Sequence, residues 1–223
     1  MATMRNPFVR QEFPERRQAM VASQLAARGI RDPRVLDAMR TVPREAFVPE
    51  YLRESAYLDS PLPIGSGQTI SQPHVVAFMI EALDLKGGEK VLEIGAGSGY
   101  AAAVLGQIAG QVYAIERIRE LADRARETLD ALGYDNVQVR HGDGTKGWPE
   151  QAPFDAIAVA AGAKKVPEPL KHQLKEGGRV IIPVGRNAPF QQLKRITRVS
   201  QNEYAEEDLI PVRFVPLIGG DHR

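Results

Sequence analysis

The sequence predicts a doubly wound α/β protein with a mostly parallel central sheet, closed by an antiparallel strand pair at the C-terminus. Three observations carry that expectation. Short, largely apolar strand-like runs begin at Val91, Val112 and Val137 and follow directly on Asp155 and Arg179. Stretches with apolar residues three and four apart separate most of them, which is helical spacing. A glycine-dense turn follows the first run and opens a helix, the place where open α/β sheets bind ligands.

Composition bounds what the elements can build. With 223 residues, 43% of them hydrophobic, the chain can bury one sizeable core and suits one domain with an appendage. Its 29 basic and 28 acidic residues leave a net charge of +1, so a whole-chain nucleic-acid footprint is absent and no nucleic-acid partner is expected. Cysteine is missing, which excludes disulfides, thiolate metal sites and a cysteine nucleophile. His74, His141, His172 and His222 are scattered, with no pair at helical spacing, so no metal site is expected. Residues 1–17 lack the apolar run of a signal peptide, and no stretch approaches the ~18 apolar residues of a membrane span. The expectation is a soluble cytoplasmic protein, without a membrane partner and provisionally a monomer.

In chain order, residues 1–14 read as a loose arm. Residues 15–28 place Met20, Val21 and Leu25 on one helical face, and Gly29 stops them. Asp32 and Pro33 supply a helix cap and a first-turn proline for a short helix through Met39. Pro43, Pro49, Pro61 and Pro63 then break the chain into loops and turns. Residues 1–72 are thus an arm and helical flank, and residues 73–223 the core, in one structural unit. Val75, Met79 and Leu83, four apart, mark a helix over 73–85. A buried strand over 91–94, a helix over 101–109 and a strand over 112–115 follow. Ile118, Leu121, Ala125 and Leu129 mark an amphipathic helix ending at Gly133. Strands over 137–139 and 155–160, a helix over 167–174 stopped by Gly177 and Gly178, and a strand over 179–184 complete the alternation. Residues 193–199 and 212–217 break the rhythm and are expected to form the closing antiparallel pair.

The turn reads Glu93-Ile94-Gly95-Ala96-Gly97-Ser98-Gly99. Its glycine spacing departs from the G-x-G-x-x-G of dinucleotide sites, and Glu93 would repel a pyrophosphate. A carboxylate there suits a nucleoside bearing an ammonium or sulfonium group. Glu116 ends the second strand of the core, where an acid can accept both ribose hydroxyls, and Asp143 ends the third, within reach of an adenine amino group. The three acids would converge at one sheet edge; taken singly, each could instead cap a turn. Upstream, Ser71 precedes Pro73 at a helix start and is placed to cap it. Neither a Walker loop nor a nucleophile elbow is present.

The glycine turn, with an acid closing each of the next two strands and Leu174-Lys175-Glu176-Gly177-Gly178-Arg179-Val180 near the end, resembles a class I S-adenosylmethionine-dependent methyltransferase with a Rossmann-like fold. Several segments narrow the resemblance. Val42-Pro43-Arg44-Glu45-Ala46-Phe47-Val48-Pro49, Gly65-Ser66-Gly67-Gln68-Thr69-Ile70-Ser71-Gln72-Pro73, Glu116-Arg117, His141-Gly142-Asp143-Gly144, Pro153-Phe154-Asp155-Ala156 and Val212-Arg213-Phe214-Val215-Pro216-Leu217 occur in order. Together they are similar to the protein-L-isoaspartate O-methyltransferase family over residues 25–218. The glycine turn alone is weak support; joined to the Gln-Thr-Ile-Ser loop it is strong.

That resemblance implies methyl transfer from S-adenosyl-L-methionine to the free α-carboxylate of L-isoaspartyl, and D-aspartyl, residues in damaged proteins and peptides. S-adenosyl-L-homocysteine is then the product, and a succinimide begins the repair. By position it implies Ser71 as the active-site residue. It places cofactor contacts at Gln68, Thr69, Ile70, Ser71, His74, Glu93, Gly95, Ala96, Gly97, Glu116, Arg117, Asp143 and Gly144. An isoaspartyl carboxylate is ionised at pH 7, so its methylation needs orientation and no general base, with Ser71 as a positioner. One departure stands out: Lys164 and Lys165 lie where the family usually has small residues and prolines. The alternatives are another class I methyltransferase acting on a small molecule, and a NAD-binding oxidoreductase.

Overall fold

The structure, a computed structural model, describes residues 12–187 and 190–220. Most of the expected arm, and His222, lie outside the described residues.

The core is a seven-stranded sheet. Five parallel strands form its body: β3 (Lys90–Ile94), β4 (Gln111–Glu116), β5 (Val137–His141), β6 (Phe154–Val159) and β7 (Leu174–Asn187). They are joined by β8 (Phe190–Arg198) and β9 (Tyr204–Val212), and the spatial order is β5-β4-β3-β6-β7-β8-β9. β8 runs antiparallel to β7, and β9 antiparallel to β8. From β3 the chain builds outward through β4 and β5, then returns to place β6 on the other side of β3. That reversal opens a crevice at the carboxyl ends of β3 and β4.

Side chains alternate across the pleat into two cores. Val91, Val112, Ala114, Ala156 and Ile181 join one core, with Met20, Leu25, Val35, Met39 and Phe47 of the N-terminal flank. Leu92, Ile94, Tyr113, Ile115, Ile157, Val180 and Ile182 join the other, with Leu170. Glu93, two residues from Val91, therefore points toward the side that the flank covers.

The flank begins with α1 (Phe13–Met20), which continues through a π turn at Val21–Leu25 and a 3-10 turn at Ala26–Arg28. It stops at Gly29, whose φ of +102° suits a residue without a Cβ. α2 spans Pro33–Thr41, and Asp32 caps it by accepting the Arg34 N–H at 2.8 Å. The remaining helices are α3 (Pro73–Ala82), α4 (Tyr100–Gly106), α5 (Arg119–Ala131) and α6 (Glu168–His172).

Three details differ from the sequence reading. The glycine-rich loop before Ser71 is a short hairpin, β1 (Leu62–Gly65) with β2 (Gln68–Ile70), turned by Gly65, Ser66 and Gly67, all with positive φ. Gly177 and Gly178 do not stop a helix. They lie within β7, where its pairing with β6 jumps from Leu174 to Arg179. A Cβ on Gly178 would sit 2.9 Å from the Asp155 carbonyl oxygen. The last strand is Tyr204–Val212, not 212–217. It is mostly exposed and carries Glu206, Glu207 and Asp208, so it lacks an apolar alternation. Its order comes from pairing with β8, where Lys194 meets Glu206 at 3.5 Å and Asp208 at 3.1 Å. Beyond it the chain crosses toward β6, and the N–H groups of Gly162 and Leu217 bond the carbonyls of Val215 and Gly162, each at 2.8 Å.

Candidate active site

A cleft opens at the crevice, floored by the turn after β3 and roofed by β2. Counting its open mouth, it encloses about 920 Å³ of empty space. The turn is drawn tight because the Gly95 and Ala96 N–H groups both donate to the Ile115 carbonyl, at 2.8 and 3.2 Å. A Cβ on Gly97, which has φ +56°, would lie 3.3 Å from Ile64 of the hairpin, so the roof rests directly on the turn. Arg124 of α5 holds that roof by donating to the Ile64 carbonyl at 3.0 Å.

Two acids face this cleft. Glu116 is 6% exposed, and its carboxylate accepts the Gly97 N–H at 2.9 Å and the Ile118 N–H at 2.8 Å. One bond per oxygen leaves acceptor capacity for a ligand's hydroxyls. Glu93 is 1% exposed, and its Oε2 has no hydrogen-bond partner among the described residues. Burial, reinforced by Glu116, pushes its carboxyl well above the ordinary glutamate range. A buried, unpartnered carboxyl beside a second acid is costly unless a cation or donor arrives. The donor set therefore fits a nucleoside with hydroxyls at one end and positive charge at the other.

Of the residues carried over by resemblance, Gln68, Thr69, Ile70, Ser71, Glu93, Gly95, Ala96, Gly97, Glu116, Arg117 and Gly144 line the cleft. Asp143 and His74 do not. Asp143 caps the turn Gly144–Lys146, accepting from the Thr145 N–H at 2.9 Å and hydroxyl at 2.7 Å, and from the Gly220 N–H at 2.9 Å. Burial raises its pKa, but these bonds outweigh it and hold the carboxyl below its usual range. The expected meeting of three acids is thus a meeting of two, with the third setting the turn that brings Gly144 to the cleft wall. His74 packs its ring 6.3 Å from Phe78, and burial lowers its pKa.

Ser71 is not a helix cap. Gln72 occupies the cap position of α3 and makes no side-chain cap bond, and the Ser71 hydroxyl makes no hydrogen bond among the described residues. Its backbone is fixed instead. Arg44, 0% exposed, donates from Nη2 to the Ser71 carbonyl at 2.8 Å and from Nε to the Ala56 carbonyl at 2.7 Å, with its guanidinium 4.8 Å over Tyr100. Sequence reasoning assigned Arg44 no role; its signal is a charged Arg44-Glu45 pair inside an otherwise apolar stretch, residues 42–48. Thr69, Ser71, Ala160, Val215 and Pro216 line both this cleft and a second, wider groove, which Arg213 and Phe214 extend.

The fold and this acid-floored cleft define a class I S-adenosylmethionine-dependent methyltransferase. The model of the protein-L-isoaspartate(D-aspartate) O-methyltransferase family matches residues 15–222, and the chain belongs to that family. It is 63% identical over 209 residues to protein-L-isoaspartate O-methyltransferase 1 of Rhodopseudomonas palustris, covering 94% of this chain and 85% of the relative. Against protein-L-isoaspartate O-methyltransferase 2 of Pelobacter propionicus it is 59% identical over 206 residues, 92% of each chain. A solved protein-L-isoaspartate O-methyltransferase superposes with TM-score 0.81 at 32% identity, over 92% of this chain and 66% of that one. A Plasmodium falciparum structure described as the same enzyme, in complex with S-adenosyl-L-homocysteine, gives 0.78 at 29% identity over 91% of this chain and 98% of that one.

Proposed function

We propose that this chain methylates the free α-carboxylate of L-isoaspartyl and D-aspartyl residues in damaged proteins and peptides, committing them to repair through a succinimide. The observation that carries the reading is the unengaged Ser71 hydroxyl in the wall between the acid-floored cleft and the open groove. S-adenosylmethionine, when bound, supplies an electrophilic methyl group on its sulfonium. Gln68 to Ser71, the turn at Gly95 to Gly97, Glu93, Glu116, Arg117 and Gly144 would hold it. Asp143 acts through the Gly144 turn, and His74 stays outside.

The acceptor is already an anion at neutral pH. What the chain must do is align one carboxylate oxygen, exclude water from it and keep it still. The Ser71 hydroxyl donates a hydrogen bond to the carboxylate oxygen that does not react, and Arg44 keeps the Ser71 backbone in register. Phe214, Pro216 and Val75 give the groove apolar walls that shed water from an extended peptide.

Ser71→Ala is expected to lower kcat about tenfold and leave measurable activity, the scale of one hydrogen bond to a charged group. Its melting temperature should not change, because no cap bond is lost. Complete loss of turnover with intact S-adenosylhomocysteine binding would assign the hydroxyl a chemical step. The function itself is tested with paired peptides identical except for Asp against isoAsp, using a labelled methyl donor. Label should enter the isoaspartyl peptide alone; equal labelling of both would refute the repair activity.

A further inference from the structure

The peptide groove beside Ser71 continues beyond the acceptor position. Phe214 and Pro216 line both that groove and a further depression, whose rim carries Lys164 and Lys165. Arg213 stands on the Ser71 side of the same segment. All three cations are exposed, and among the described residues none forms a side-chain ion pair or hydrogen bond. Glu168, which feels Lys165, is itself paired with Lys171 at 2.9 Å. Among the described residues, no aspartate or glutamate lines either depression. In a chain whose total charge nearly cancels, three exposed cations with no paired carboxylate among the described residues thus stand along one path leading to the acceptor.

Resting on the methyltransferase reading above, we propose that this path is a specificity site for acidic residues flanking the isoaspartyl residue. Apolar walls at Phe214 and Pro216 accept an extended backbone of any sequence. The cations beyond them favour a carboxylate side chain and repel a lysine, as complementary potentials do across an interface. Since the cations are solvated, each pairing is weak, screened by salt, and expressed in KM.

The test compares three isoaspartyl peptides that differ only in flanking residues, which are Glu, Gln or Lys on both sides. At low salt the Glu peptide should show about fivefold higher kcat/KM than the Gln peptide through a lower KM, and the Lys peptide a lower value. High salt should collapse the series. In Lys164→Glu/Lys165→Glu the order of Glu and Lys peptides should invert, with S-adenosylhomocysteine titration reporting that the variant is folded. Equal kcat/KM for Glu and Gln peptides at low salt would overturn the proposal and leave the methyltransferase reading standing. So would an unchanged order in the double variant. Failure of every isoaspartyl peptide to accept label would remove both.

Discussion

Glu93→Gln should weaken S-adenosylhomocysteine binding by about 100-fold and, at the same time, raise the melting temperature of the ligand-free protein above pH 7. The first effect follows from removing the charge that a buried ammonium would meet, an interaction worth several kcal/mol once both groups are desolvated. The second follows from proton linkage. Burial and Glu116 hold the Glu93 carboxyl protonated to a higher pH in the folded chain than in the unfolded one. Between the ordinary glutamate value and that raised value, folding takes up a proton, so stability falls as pH rises. Above both values the full cost remains. Glutamine has nothing to ionise, so the variant escapes that loss. A cationic ligand lowers the Glu93 pKa again, so binding should release a proton and tighten as pH rises through the same window. Calorimetric titration in two buffers of different ionisation enthalpy reads the released proton, and thermal melts at pH 5 and pH 8 read the stability. A variant no more stable than wild type at pH 8, or one that binds undiminished, would contradict the account.

Arg44→Ala is expected to cost about 3–5 kcal/mol of stability, the range for emptying a large buried site and orphaning its partners. Two carbonyls, of Ala56 and Ser71, lose their donor, and Tyr100 loses the cation over its ring. Arg44→Met separates packing from positioning. It keeps much of the volume and removes a buried charge that has no carboxylate partner, so its stability loss should be smaller. The Ser71 backbone is nevertheless released, and kcat should fall about tenfold while S-adenosylhomocysteine affinity holds. Denaturant unfolding and steady-state rates on an isoaspartyl peptide check both variants. Full turnover in Arg44→Met would show that Ser71 is held without the arginine.

The sheet was legible wherever burial set the pattern. β3, β4 and β6 are covered on both faces and read as apolar runs, and the acids at Glu93 and Glu116 stood out against them. The glycine turn was legible because only glycine tolerates its torsions and the approach of Ile64. Three kinds of feature were hidden. β9 is solvent-facing and held by charge pairs with Lys194 and Arg195, so no periodicity betrays it. Gly177 and Gly178 serve a strand irregularity that a single sequence cannot tell from a helix stop. Asp143 stands at the expected strand end, yet its carboxylate faces a local turn and the Gly220 N–H and does not line the cleft. Whether a carboxylate is free or engaged depends on contacts as remote as 77 positions along the chain, which no local pattern encodes. The same holds for Arg44, whose partners, the Ala56 and Ser71 carbonyls, come from two separate connecting segments.

A protein that handles damaged, partly opened clients constantly meets chains with unsatisfied main-chain groups. β9 would be the natural place for such a chain to stick, as the outermost strand of a long ribbon. Glu206, Glu207 and Asp208 crowd that margin with charge, and Pro211 removes one donor from it. An extended client is therefore denied a template there.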